Sequence, residues 1–143
     1  MTAENSPRAS DAALAHLLLR ATIGMNILMH GVARLVSGED KFVASLVQQY
    51  QGSPLPQPLV LGFATVLPWI EATIGLLILT GLRMRSALVA GALLIIVLTF
   101  GVGVRQNWEA AGLQLTYAVV FALLLASASA DRYSLDALMR RKR

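Results

Sequence analysis

Cysteine is absent from the chain. That excludes disulfides, thiolate metal centres, iron–sulfur ligation and thiol redox chemistry within it. Charge is also scarce. Only 14% of residues are Asp, Glu, Lys or Arg, against about a quarter in a soluble domain. Aromatic residues make up 6% and histidine occurs twice. There is no glycine-rich phosphate loop, nucleophile elbow or metalloprotease motif. What remains is apolar: 56% hydrophobic residues and a mean hydropathy of +0.63. So little polar surface cannot cover a water-soluble globule, but it suits a chain solvated by lipid.

Four apolar stretches each approach the roughly 20 residues that cross a ~30 Å hydrocarbon core. They run over about Ala12–Val36, Leu59–Leu79, Ala87–Val104 and Ala110–Ala130, with Asp11 as the first N-cap. The expected fold is therefore an all-α membrane bundle of four transmembrane helices. Residues 1–11 read as a disordered tail and residues 131–143 as a basic one. The opening run is too long, and too polar at Arg20 and His30, for a cleaved signal peptide. Between the first two spans, Phe42, Val43, Leu46, Val47 and Tyr50 recur at helical spacing, which predicts a short amphipathic surface helix. It would serve as a connector or as a lid over a pocket.

Lys and Arg set the orientation. Arg8, Arg83, Arg85, Arg132, Arg140, Arg141, Lys142 and Arg143 share one side, while Arg34, Lys41 and Arg105 occupy the other. Both termini are thus expected in the cytoplasm. The net charge of +4 gathers in the C-terminal Arg140–Arg143 cluster. Because that cluster follows a lipid-facing helix and has no readers of bases beside it, anionic lipid is the expected partner and nucleic acid is not.

Polar groups inside the spans are the candidates for chemistry. On the first span, His16, Arg20, His30 and Arg34 fall within about an 80° arc, flanked by Asn26, so this stripe should face the bundle. Glu71 lies in the second span. Counted from the expected helix ends, Arg20 and Glu71 sit at similar depth, roughly 12 and 13 Å in. An Arg20–Glu71 pair is therefore expected, either as a buried ion pair fixing helix register or as a proton-handling or ligand-binding site. Toward the other side, His30, Gln114 and Tyr117 could share one level and hydrogen-bond a quinone head group, or one another. His16 and His30 are separated by roughly 21 Å of helix, too far to ligate one haem iron, and no metal site is expected. Pro68 should kink the second span or free a carbonyl. Ala118, Ala122, Ala126 and Ala130 form a small-residue face suited to close helix approach, within the bundle or to another subunit.

Three pieces of the chain resemble the DoxX family. Leu18-Leu-Arg20-Ala-Thr-Ile-Gly24 with His30-Gly31 resembles its opening helix. Glu71-Ala-Thr-Ile-Gly75 through Gly81-Leu-Arg-Met-Arg85 resembles its second helix and following turn. Ala130-Asp-Arg-Tyr133-Ser-Leu-Asp136-Ala-Leu resembles its ending. The resemblance implies a small bacterial inner-membrane four-helix bundle linked to quinone-dependent oxidation. On that reading the chain is a membrane subunit of a quinone-linked oxidoreductase, or a non-catalytic scaffold or assembly subunit of a larger complex. Arg20 and Glu71 would form its catalytic site. No cofactor is held covalently, quinone is the candidate ligand, and other membrane or peripheral subunits or a second copy are the candidate partners. The orientation is directly testable: fused at the C-terminus, green fluorescent protein should fluoresce and alkaline phosphatase should remain inactive.

Overall fold

The structure, a computed structural model, describes residues 7–142. Its regular structure is helical throughout: α1 (Pro7–Val36), α2 (Glu39–Gln49), α3 (Gln57–Thr80), α4 (Met84–Val104), α5 (Trp108–Ala126), a 3₁₀ turn (Ala128–Ala130) and α6 (Leu135–Arg141). Helices α1, α3, α4 and α5 are long and apolar enough to cross a membrane. Helix α2 is the short element expected between the first two spans.

Local chemistry explains where the boundaries differ from expectation. Helix α1 begins at Pro7, whose fixed φ suits a first helical turn. Residues 7–11, expected in a disordered tail, are therefore helical, and residues 1–6 lie outside the described part of the chain. Helix α5 starts at Trp108 because Asn107 caps it, its side chain accepting from Ala110 N–H at 3.1 Å. It ends at Ala126, short of Ala130, where Ser127 Oγ donates back to the Leu123 carbonyl at 2.7 Å. The expected basic tail contains a helix, α6, capped by Ser134.

Close backbone approach between α1 and α3 organises the bundle. A Cβ on Gly75 would lie 2.3 Å from Leu28 N, and one on Gly31 would lie 2.4 Å from Pro68 O and 2.5 Å from Ala72 N. On Gly24 it would lie 2.7 Å from Leu79 N. Only glycine admits this contact, the small-residue packing that replaces hydrophobic drive inside lipid. Three contacts at successive levels fix the antiparallel register: Gly24 opposite Leu79, Leu28 opposite Gly75, and Gly31 opposite Pro68 and Ala72. Helix α3 runs unbroken through the buried Pro68. On the other side of α3, Ile74, Ile78, Leu88, Phe121 and Leu124 form the apolar core. The Phe121 ring fills the space over Gly91, where a Cβ would meet it at 2.4 Å. The alanine face contributes little, since Ala122 and Ala126 are exposed.

Leu18, Leu76, Leu93, Ile96, Leu115 and Val119 are among the large apolar side chains that point outward. Such a surface suits lipid rather than water. Gly31→Ala and Gly75→Ala should each destabilise the bundle by about 2 kcal/mol through overpacking. Gly112→Ala, with nothing within 4 Å of its added Cβ, should leave stability unchanged or slightly raised. Denaturant unfolding of the three variants in detergent micelles measures the difference.

Candidate functional site

Glu71 pairs with Arg34, which donates to its Oε2, and not with Arg20. The expected Arg20–Glu71 contact is not formed, for a reason set by helix register. Glu71 lies beside Ala72, which the α1 backbone meets at Gly31. Arg20 is about eleven residues away along α1, roughly 16 Å by helical rise. Equal depth held only if the ends of the two helices were level, and they are not: α1 overruns the end of α3. Arg34, one turn past Gly31, has the right level and a side chain long enough to reach the carboxylate. Glu71 is 5% exposed. A charge so placed needs its partner, because removing one member of a buried pair costs about 3 kcal/mol or more.

The pair borders a cavity of about 520 Å³ between α1, α3, α4 and α5, with α2 across it. That is within the usual size of a small-molecule site. Ile27, Phe63, Leu67, Leu94 and Phe100 give it apolar walls. His30, Gln114 and Tyr117 all line it, together with Arg34 and Glu71. The structure thus brings the two expected clusters to one place, minus Arg20. Tyr117 donates its hydroxyl to Asn26 Oδ1 at 3.1 Å. Gln114 Oε1 is buried without a hydrogen-bond partner, an arrangement that folded proteins rarely leave unexplained.

Helix α2 is held over this cavity by two cations. The Arg34 guanidinium lies 4.6 Å from the centre of the Phe42 ring, and that of Arg105 lies 5.2 Å from the centre of Tyr50. Arg105 also donates to Gln49 Oε1 at 2.8 Å. Such cation–π contacts contribute about 0.5–2 kcal/mol each. Arg34 therefore serves both the acid in the cavity and the helix that closes it. No residue of α2 is buried, so polar and aromatic contacts at its edge carry much of its placement.

Arg20 has a different task at the opposite end of the bundle. It donates to the Ile78 and Leu79 carbonyls at 3.1 and 2.9 Å and to the Tyr133 carbonyl at 3.4 Å. Carbonyls at the end of α3 are short of intrahelical donors, that of Ile78 having only the Gly81 N–H at 3.2 Å, and a cation there also complements the helix dipole. Nearby, His16 Nδ1 and Ser127 Oγ are 2.9 Å apart, joining α1 to the end of α5. The polar stripe of α1 divides, buried at His16 and Arg20 and open to the cavity at Asn26 and His30. His16 and Arg20 lock helix ends, whereas Asn26, His30 and Arg34 serve the cavity.

Sequence reasoning placed Arg34 on the stripe but gave it no partner, and it missed Asn26, Phe42 and Arg105 as cavity residues. The signal for Arg34 was present: it lies on the same face as His30, one turn on. A double-mutant cycle tests the pairing. Arg34→Ala and Glu71→Ala should show a coupling of roughly 1–3 kcal/mol in unfolding free energy, while Arg20→Ala and Glu71→Ala should be additive within about 0.5 kcal/mol.

No curated protein and no solved structure matches the chain. One family model does, that of the methylamine utilisation protein MauE, over residues 12–112. The match covers most of α1, all of α2, α3 and α4, and the start of α5. It overturns the DoxX resemblance. The glycines in the first two pieces of that resemblance have a packing role: Gly24, Gly31 and Gly75 are the residues on which α1 and α3 touch, and small-residue contacts of this kind recur among unrelated membrane bundles. The chain is a multi-pass membrane protein that belongs to the MauE family.

Proposed function

We propose that the chain is an accessory membrane subunit for methylamine utilisation, and that its cavity holds a lipophilic ligand of the quinone class. The observation that carries this is a mostly apolar cavity whose polar lining includes the Arg34–Glu71 pair and Gln114, with Oε1 buried and without a partner. An apolar pocket with a few converging polar groups is how proteins orient a small amphipathic molecule. A ring with two oxygens suits this lining. Its carbonyl would accept from Arg34 or His30, and in the reduced form its hydroxyl would donate to Gln114.

Methylamine itself is a poor fit. An alkylamine, like a lysine side chain, is protonated at neutral pH. The fixed charges around the cavity are Arg34, Arg105 and Glu71, one positive in sum, and the only carboxylate already has its cation. A neutral or anionic head group is therefore favoured over an ammonium ion. The family's description names a pathway; on this reading the chain assists it without binding the amine here. Glu71 is the carboxylate in the lining that could take or release a proton, and electrons would travel to or from a partner subunit. Eight cations against three support an orientation with both termini cytoplasmic, and a bacterial inner membrane is the proposed location.

A scaffold or assembly role is the second reading. The least covered of the four spans is α5, and its exposed Ala122 and Ala126 would let a neighbouring helix approach closely.

Titration of the protein in lipid nanodiscs separates the two. Decylubiquinone and its quinol should both bind, and Gln114→Leu should weaken the quinol roughly tenfold, the value of about one hydrogen bond. Methylammonium should produce no saturable signal. A wild-type protein that ignores the quinone but co-purifies with a membrane partner through α5 would favour the scaffold.

A further inference from the structure

The segment after α5 is fixed to the bundle, and it presents a face that no described residue covers. Both oxygens of the Asp136 carboxylate are engaged, accepting from Arg83 N–H at 2.9 Å and Met84 N–H at 2.8 Å. Asp136 thereby satisfies the first amides of α4 from another helix. Asp136 N–H donates to the Gly81 carbonyl at 3.1 Å. Ser134 accepts from Ala137 N–H at 3.0 Å and donates to Asp131. Gly81 turns in the left-handed region at φ 72°, and a Cβ there would lie 2.3 Å from that of Ser134. Arg20 completes the arrangement at the Tyr133 carbonyl.

These bonds decide which way α6 faces. Ala137 points into the bundle at 5% exposure, while Leu135, Leu138 and Met139 point out at 43%, 47% and 48%. The spacing i, i+3, i+4 places the three on one stripe. Arg140, Arg141, Arg83 and Arg85 are exposed around it. The acids of the C-terminal segment, Asp131 and Asp136, are both held internally, although Arg140 lies 3.9 Å from Asp131. The exposed charge of this segment is thus positive. Helix α6 is bonded directly to the turn between α3 and α4, two helices long and apolar enough to cross a membrane.

We propose that α6 is an interfacial foot for acidic phospholipid. Leu135, Leu138 and Met139 enter the boundary between headgroups and acyl chains, and the arginines around them meet lipid phosphate. An amphipathic helix with cations on its polar side binds in this way, each cation near an anionic surface contributing about 1 kcal/mol. A peripheral acidic protein is the competing occupant; the apolar stripe beside the turn between two spans favours lipid.

Because the chain has no cysteine, Leu138→Cys gives a single labelling site on an exposed position of the full-length protein. With an environment-sensitive fluorophore there, nanodiscs of phosphatidylcholine with and without phosphatidylglycerol are compared, each also carrying lipids brominated on the acyl chain. The expected result is blue-shifted emission and quenching by the brominated lipid, both stronger with phosphatidylglycerol. Arg140→Gln with Arg141→Gln should lower the ratio of phosphatidylglycerol to phosphatidylcholine retained on the purified protein roughly thirtyfold, the effect of two cations near an anionic surface. Water-like emission in both lipids would overturn the proposal, as would quenching that is equal with and without the acidic lipid.

Discussion

Contact between the α1 and α3 backbones sets everything else in this bundle. Gly24, Gly31 and Gly75 remove the side chains that would hold the helices apart, and the resulting approach leaves no freedom of sliding. In lipid the hydrophobic effect cannot choose a register, because apolar side chains are equally satisfied facing a neighbour or an acyl chain. Steric fit at a few small residues must choose it. Here that choice places Gly31 beside Pro68 and Ala72, and so places Glu71 within reach of Arg34.

The Arg34–Glu71 pair follows from that register, and part of the cavity's polar lining follows from the pair. Two opposite charges at one level give the cavity polar groups that could not persist if either were alone. The same guanidinium stacks on Phe42, so the acid and the covering helix share one cation. Arg105 repeats the device from α4 against Tyr50. At the other end, Arg20 acts mainly through hydrogen bonds, with Asp131 within electrostatic reach. It satisfies carbonyls where α3 ends and ties them to Tyr133. Two arginines on one helical stripe thus do unlike work, one electrostatic and one a matter of hydrogen-bond supply.

Much of the architecture was legible because lipid imposes simple rules. Apolar length marks a span, and the amphipathic spacing of Phe42, Leu46 and Tyr50 marked α2. Helix ends were less legible. Pro7 extends α1 backward, and Ser127 stops α5 early through a local hydrogen bond that apolar periodicity does not register. His30, Gln114 and Tyr117 were correctly placed around one space because their levels could be counted from nearby helix ends. Arg20 was misplaced by the same method, since the ends of α1 and α3 are offset. Asp136 was read as part of a tail; its role in capping α4 depends on a partner more than 50 residues away. The family resemblance failed for a related reason: short glycine patterns report how helices touch, and many families share that need.

Sequence by itself determined the solvent, the number of crossings, the polar stripe and the absence of thiol chemistry, because each depends on composition or on spacing within one helix. Tertiary structure alone decided which cation meets Glu71, which polar groups share a cavity and which way α6 faces. Those are relations between helices, and they depend on offsets between backbones that no single helix encodes.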